Sequence, residues 1–417
     1  MTRVLHLVKT SDGARWAAEQ AKVLTRLGVE VHVALPQPRG EAVPFWEDAG
    51  AIVHIVDTGL PVRHPWKWSE TQSRITGLID MVQPDIIHSH FVSTTLAMRL
   101  ALTGKRASIP RVFQVPGPLH LEHALYRNAD IRSAGTGDYW IASSRYIASL
   151  YARSGVPNRR VYLSYYGMTF ESFVAKRLSG FRQRLDIRDD VRVVGGISYM
   201  YPPKYYLGQT TGLKRHEDLI DALGIVCRDR PDVIGLIIGG EWGSGTSYRN
   251  RLRERAQRIA GDRIVFQDRI PAGTAAQIWP QFDCVVHVPI SENCGGVVEP
   301  LASRVPTIAS RVGGLPEVVF EGETGWLVPP RTPKLVAAAI HEALDNPNEG
   351  KRRAELGRRL VLDMFDVHRT GQEIAEVYSA ILDNSAKRPP QYDSTLSVNT
   401  ISSTLAADAH QQLRDRR

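Results

Sequence analysis

Cysteine is nearly absent from this chain of 417 residues: Cys227, Cys284 and Cys294 are the whole complement. Three thiols cannot staple a fold of this size, so hydrophobic cores and a reducing, cytoplasmic setting are expected. Long apolar runs are missing too. Nothing approaches the roughly 20 residues that a membrane-spanning helix needs. The opening MTRVLHLVKT lacks the apolar core and cleavage site of a secretory leader. Several catalytic signatures are also wanting. No G-x-G-x-x-G follows the first apolar run, which argues against a dinucleotide dehydrogenase. Neither G-x-x-x-x-G-K-[ST] nor G-x-S-x-G occurs, and in HEDLI (216–220) Ile220 stands where a zinc peptidase needs its second histidine. The basic residues do not interleave with aromatics along one stripe, so no nucleic-acid partner is expected.

What is present is a globular composition, 43% hydrophobic and 23% charged, over a length that fits two domains. The net charge of +8 is unevenly placed. Residues 1–180 hold 21 basic and 14 acidic side chains, a surplus of 7, whereas 181–417 hold 31 and 30. That surplus points to an anionic partner for the first half. Short apolar runs alternate with helical spacings throughout. VLHLV (4–8), VEVHVAL (29–35), AIVHIV (51–56), DIIHSH (85–90), VFQV (112–115) and YWIASS (139–144) are expected strands. Helices are expected at 14–27, stopped by Gly28, and at 70–82. The pattern restarts with VRVVGGI (191–197), VIGLIIGG (233–240), RIVFQD (263–268), CVVHVPI (284–290), PTIAS (306–310) and TGWLVP (324–329), with helices near 218–227, 333–345 and 369–383.

Such alternation makes parallel sheets with helices on both faces. The fold class is therefore α/β: two facing Rossmann-like doubly wound domains, 1–180 and 181–368, joined near 172–186. A helix at 369–385 is expected to cross back to the first domain. The Pro-, Ser-, Thr- and Gln-rich tail at 386–417 is expected to be disordered. Ligands of such sheets sit outside the carboxyl ends of the strands.

The segment SENCGGVVEPLASRVPTIASRVGGLPEVV (291–319) carries the most chemistry. Gly295 and Gly296 lead through Val297 into an apolar helical start, where free N–H groups and the helix dipole favour a phosphate. Glu299, one turn in, can accept two hydrogen bonds from a vicinal diol such as a ribose; an acid at a plain loop–helix junction is the other reading. Gly313 and Gly314 mark a second tight turn. In GGISYMYPPKYYLGQTTGLKRHEDLIDAL (195–223), Lys214 and Arg215 precede a helix and Lys204 sits in a long loop. Cations there suit a diphosphate, or are surface residues beside a helix. KTSDGARW (9–16) sets Asp12 and Gly13 after the first strand, where they close over a phosphate or Asp12 simply caps the helix. His88, His90, His120 and His123 gather in the first half, open to metal binding or proton transfer. H-x-H plus H-x-x-H without cysteine is weak zinc spacing, and no metal is expected.

These segments resemble retaining glycosyltransferase family 4 (group 1), whose fold is GT-B. The family shows a Glu, seven residues, a second Glu, and then a run of small residues, Pro and Ala-Ser. Asp283, Glu299, Pro300, Ala302, Pro306, Ala309, Ser310, Gly313, Gly314, Pro316, Glu317, Thr324 and Gly325 fall in register. The resemblance implies that Glu299 binds the donor ribose, with Gly295, Gly296 and Val297 beside the nucleotide. The position of the first acid is Ser291, with Glu292 one residue later, so either Ser291 replaces it or Glu292 supplies it. The family's Arg is Gly196 here, and its Lys-Gly reads Lys214-Arg215. Lys214 is thereby implied on the diphosphate, with Arg215 or Lys204 in place of the missing Arg. The family's histidine after the 112–115 strand falls at Pro116, which leaves His120 as the nearest catalytic substitute; a buried structural histidine is the alternative. Asp12, Gly13 and His90 correspond to loops facing phosphate and acceptor. No Asp-x-Asp occurs, which argues against a metal-dependent GT-A transferase.

The resemblance implies a metal-independent hexosyltransferase with no cofactor. It would move a sugar from a nucleotide-sugar donor, held by the second domain, to a hydroxyl acceptor presented by the first, with retention of configuration. The implied acceptor is a polysaccharide or lipid-linked glycan. Together with the surplus of positive charge in 1–180, this suggests an anionic membrane surface as partner and a peripheral place on the inner face of the membrane. A nucleotide-sugar epimerase on the same fold and a catalytically idle sugar-nucleotide-binding module stay open as alternatives.

Overall fold

The computed structural model describes residues 1–173, 176–205, 208–243, 245–383 and 387–403. It divides into two units: Met1–Thr169 with Met364–Tyr392, and Phe170–Asp363 with the chain from Asp393. In unit 1, strands β1 (Arg3–Leu7), β2 (Glu30–Leu35), β3 (Ile52–Ile55), β4 (Ile86–Ser89), β5 (Arg111–Val115), β6 (Asp138–Ala142) and β7 (Val161–Leu163) form one parallel sheet. Their order is β3-β2-β1-β4-β5-β6-β7. Strands covered on both faces read as near-continuous apolar runs, and Val4, Leu5 and Leu7 are fully buried. The winding reverses between β1 and β4, where the register sets His6 beside His88.

Helix Arg15–Arg26 ends just before Gly28, whose φ of 84° is the left-handed turn expected there. No side chain caps its amino end; Asp12 instead accepts from the Glu41 amide at 3.3 Å. Helix Val367–Leu382 belongs to unit 1. Its Ile374, Val377, Tyr378 and Ile381 share a core with Ala17, Ala21 and Leu24. The Asp366 carboxylate caps it, accepting from the Arg369 amide at 2.7 Å.

In unit 2, β8 (Arg192–Ile197), β9 (Val233–Ile238), β10 (Ile264–Gln267), β11 (Cys284–His287), β12 (Thr307–Ser310) and β13 (Trp326–Val328) make a second parallel sheet. The order β10-β9-β8-β11-β12-β13 reverses between β8 and β11. Asp283 pins that centre. Its carboxylate accepts from the Val193 amide at 2.8 Å and pairs with Arg177, Arg182 and Arg192.

Three features differ from the expectations above. The units divide at Thr169/Phe170 rather than at 180; Val174 and Ala175 of the expected join lie outside the described residues. Strand β7 and helix Pro347–Met364 add to the expected elements. The tail is ordered over 387–403. Arg388 lies 4.3 Å from the centre of the Tyr162 ring, and Tyr392 meets Tyr165 edge-on at 6.0 Å. Residues 394–403 are helical and begin with Asp393 accepting from the Thr395 and Leu396 amides at 3.0 and 3.2 Å. Composition misled here because a few side chains decide the outcome: Val398 and Ile401, one helical turn apart, reach Leu356 and Leu360. The rest of the expected tail, residues 386 and 404–417, lies outside the described residues. Among the described residues no helix is long and apolar enough to cross a membrane.

Candidate active site

A reversal of winding leaves a crevice at the carboxyl ends of the two central strands, because the loops that follow them part to opposite faces. At β8 and β11 it is lined by Gly196, Ser198, Lys214, His216, His287 and Gly296 among others. Glu292 is its hub. Lys214 Nζ forms an ion pair with Glu292 Oε2, His287 Nε2 lies 3.0 Å from the same oxygen, and the Asn293 amide donates to Oε1 at 3.1 Å. A carboxylate can only accept, so His287 Nε2 carries the proton. Burial pushes the Glu292 carboxyl up, but the charge of Lys214 and the His287 hydrogen bond outweigh it and hold the group well below the usual carboxylate range. Burial lowers His287 despite its bond to Glu292. The arrangement is therefore carboxylate, ammonium and neutral imidazole.

Two glycines make the hub possible. Gly296 has φ 52°, and a Cβ on it would stand 2.2 Å from His287 Nε2. Gly313 has φ 56°, and its Cβ would stand 1.7 Å from the Glu292 carbonyl oxygen. Torsion and space both exclude any other residue. Of the two positions open for the first acid of the motif, Glu292 brings its carboxylate to Lys214, while Ser291 is buried.

Glu299 lies in the first turn of the short helix Val298–Ala302 and accepts from Trp279 Nε1 at 2.9 Å. Val297 is fully buried and Gly295 exposed. The guanidinium of Arg215 is engaged by Asp218 at 2.7 Å and by Thr211. Lys204 donates its amide to Gln209 Oε1 at 3.1 Å; Tyr206 and Leu207 of the same loop lie outside the described residues. His216 Nε2 is 3.1 Å from Ser198 Oγ, and burial, with His287 and Lys214 nearby, pushes its imidazole down to about 3. The sequence singled out neither His216, His287 nor Trp279. The one cue was a histidine closing the apolar run CVVH.

Unit 1 repeats the plan with different chemistry. At β1 and β4, His6 Nδ1 is 2.9 Å from His90 Nε2, His88 Nδ1 is 2.6 Å from the Tyr378 hydroxyl, and the His88 and His90 rings stack at 4.3 Å. Burial lowers all three imidazoles, His6 to about 3. Their nitrogens lie within 4.8 Å of one another. Yet whichever of His6 and His90 donates, the acceptor's other nitrogen holds a proton, so the trio offers at most two free lone pairs. The three rings pack as neutral imidazoles. The expected histidine group is thus rearranged: His6 joins it, while His120 lies elsewhere, with Nε2 3.3 Å from the Tyr151 hydroxyl and 3.4 Å from Asp130. Asp130 is fully buried and also pairs with Arg99 at 2.9 Å. The ring of His123 meets Tyr126 at 6.4 Å. Asp12 and Gly13 follow β1 in the loop leading to helix Arg15–Arg26.

Two family models match the chain: Glycosyltransferase Family 4 over residues 13–170 and Glycosyl transferases group 1 over residues 188–360. With one glycosyltransferase model matching each unit, the chain is a glycosyltransferase. Each match falls within the bounds of one unit, give or take a residue. This glycosyltransferase is 24% identical over 405 residues to a D-inositol 3-phosphate glycosyltransferase of Thermobispora bispora, covering 90% of the chain and 91% of the relative. It is 26% identical over 225 residues to a D-inositol 3-phosphate glycosyltransferase of Streptomyces coelicolor, a match that takes in 52% of the chain but spans about half, 49%, of that relative. The crystal structure of Anabaena Alr3699/HepE in complex with UDP and glucose is similar with a TM-score of 0.77 at 20% identity, covering 91% of this chain and 100% of that one. The fold of this glycosyltransferase is GT-B, as its sequence implied.

Proposed function

We propose that this glycosyltransferase moves a hexosyl group from a nucleotide-sugar to a hydroxyl acceptor with retention of anomeric configuration. The observation that carries the proposal is the joining of Lys214, Glu292 and His287 at the β8/β11 crevice, a short way along the chain from Glu299. Lys214 meets the donor diphosphate. As the anomeric C–O bond breaks, charge grows on the leaving phosphate oxygen, and a fixed ammonium stabilises it more than it stabilises the ground state. Glu299, steadied by Trp279, accepts from the ribose hydroxyls. Glu292 accepts from hydroxyls of the donor sugar, with His287 holding its orientation. The acceptor oxygen bonds to the anomeric carbon, the nucleoside diphosphate departs with the electron pair, and the acceptor proton passes to a donor phosphate oxygen on the same face. In this scheme the cation is Lys214 and the protein's work is positioning and charge stabilisation.

The Alr3699/HepE complex with UDP and glucose supports UDP-sugars as the first donors to try. The acceptor we favour is a glycan, free or lipid-linked; inositol phosphate enters the panel because the relatives are named for it. The positive surplus in 1–180 supports docking on an anionic membrane, at about 1 kcal/mol per well-placed Lys or Arg. The test is release of nucleoside diphosphate from UDP-, GDP- and ADP-hexoses with these acceptors. NMR of the product then reads its anomeric configuration, and flotation with anionic and neutral liposomes reads the docking. An inverted product sinks the same-face scheme.

A further inference from the structure

Past the crevice, strands β8 and β9 of unit 2 run on as a narrow ribbon. The Ser198 amide donates to Ile238 O at 3.0 Å, Met200 to Gly240 O at 2.9 Å and Trp242 to Met200 O at 3.0 Å. The ladder between β8 and β9 thus outlasts both strands and closes with a bridge between Met200 and Glu241. Alternation along extended chain sends Tyr199 and Tyr201 to one side and the fully buried Met200 to the other. Trp242 meets both tyrosines: it lies 5.4 Å from Tyr201 at 29°, and 5.0 Å from Tyr199 at 90°. The three rings make a shelf, and the shelf is braced. Glu241 accepts from the Tyr248 and Arg249 amides at 2.9 and 3.1 Å at the start of helix Ser247–Ala260. The Arg269 guanidinium lies 5.4 Å from the Tyr199 ring centre. Trp242 nevertheless keeps 50% of its surface exposed. A braced indole left half in water is a surface prepared for an apolar ligand face. The shelf also adjoins the hub: after burial, the charge of Glu292 is the next cause that pushes the Tyr201 hydroxyl up, to about 12.

We propose that Tyr199, Tyr201 and Trp242 form a sugar subsite that takes the C–H face of a pyranose ring. The ligand class rests on the glycosyltransferase function proposed above. A hexose presents such a face whether it is the donor's hexosyl group or a residue of the acceptor, and the two sources are separable by experiment.

The full chain, with Trp242→Ala, Trp242→Phe and Glu299→Ala variants, is titrated with methyl glycosides of glucose, galactose and mannose. UDP, GDP and ADP are titrated alongside their glucose conjugates, and saturation-transfer NMR reports sugar contact. Trp242→Ala is expected to weaken sugar recognition at least tenfold, with Trp242→Phe retaining most of it and the free nucleotides unaffected. Loss of methyl-glycoside binding assigns the shelf to the acceptor. Loss of the advantage of the conjugate over its free nucleotide assigns it to the donor sugar. The proposal is overturned if Trp242→Ala changes neither quantity, or if it weakens the free nucleotide equally, which would make the shelf a seat for the base. Wild-type chain that binds methyl glycosides but no nucleotide contradicts the donor site and leaves the shelf standing. Glu299→Ala is expected to weaken the nucleotides and spare the glycosides.

Discussion

Lys214 pairs with Glu292; in the proposed scheme the donor diphosphate draws it away. In that scheme the ion pair keeps a cation oriented where the leaving-group charge would develop. Replacing Lys214 by Met leaves the Glu292 carboxylate without its cation and is expected to cost about 3 kcal/mol of stability. It should also lower kcat by about a hundredfold, because a leaving-group contact acts mainly in the transition state. Glu292 has a depressed folded-state pKa, so its contribution is fully present above the unfolded-chain value of about 4.3. It is lost as pH falls from there through the folded value. Glu292→Gln should therefore cost most at pH 6 and progressively less below pH 4.5, read by denaturant unfolding at each pH. A constant difference across that range would contradict the Lys214–Glu292 pair. Glu299 and Lys214 stand out in the sequence as candidate donor residues because their motifs are local. The pairing of Lys214 with Glu292 spans 78 positions and that of His6 with His90 spans 84; no local pattern encodes either, since only sheet topology brings them together.

Among the elements, the strands were the most legible, because each buried parallel strand is an apolar run bounded by loop residues. Strand β7 escaped because Val161–Leu163 is three residues long. Helix Pro347–Met364 escaped because Arg and Lys crowd its sequence and Gly350 and Gly357 interrupt it, which hides the buried Leu356, Leu360 and Val361. The 394–403 helix was obscured by its polar composition. What the sequence marked as two glycine turns, the structure reveals as the clamps on His287 and Glu292. Gly313→Ala meets both a left-handed torsion and a backbone oxygen at 1.7 Å. A loss of more than about 2 kcal/mol is expected, with donor affinity falling at least tenfold in whatever folds. Gly322, also left-handed at φ 79° but with nothing within 4 Å of a Cβ, should cost only the torsional part when changed to Ala, about 1 kcal/mol. Equal losses at the two sites, by thermal melting, would contradict the clamp.

At the scale of the whole molecule, unit 1 is built from two stretches far apart in the chain, Met1–Thr169 and Met364–Tyr392. Its core needs Ile374, Val377, Tyr378 and Ile381, and Tyr378 also holds His88. A chain cut after Asp363 also loses the 394–403 helix of unit 2, yet is expected to keep the β8–β13 sheet protected in hydrogen exchange while unit 1 exchanges freely; retained protection of β1 and β4 would contradict this architecture. The same core sets an acid limit. His6, His88 and His90 stay neutral when folded, whereas an unfolded imidazole takes up a proton near pH 6.5. Their depressed folded values mean that stability is full above that pH and falls below it, by up to about 1.4 kcal/mol per pH unit for each histidine. Denaturant unfolding at pH 7.0 and 5.5 reads this directly, and a flat profile would contradict three buried neutral imidazoles. The most direct measurement of the central claim, that unit 2 holds a nucleotide-sugar at the β8/β11 crevice, is calorimetric titration of wild-type, Glu299→Ala and Lys214→Met chains with UDP-, GDP- and ADP-glucose. The expected result is binding of at least one conjugate, weakened ten- to a hundredfold by Glu299→Ala, as loss of a charged hydrogen bond worth about 1.5–3 kcal/mol requires, and weakened also by Lys214→Met. No binding by the wild type, or binding that neither substitution alters, would contradict the account.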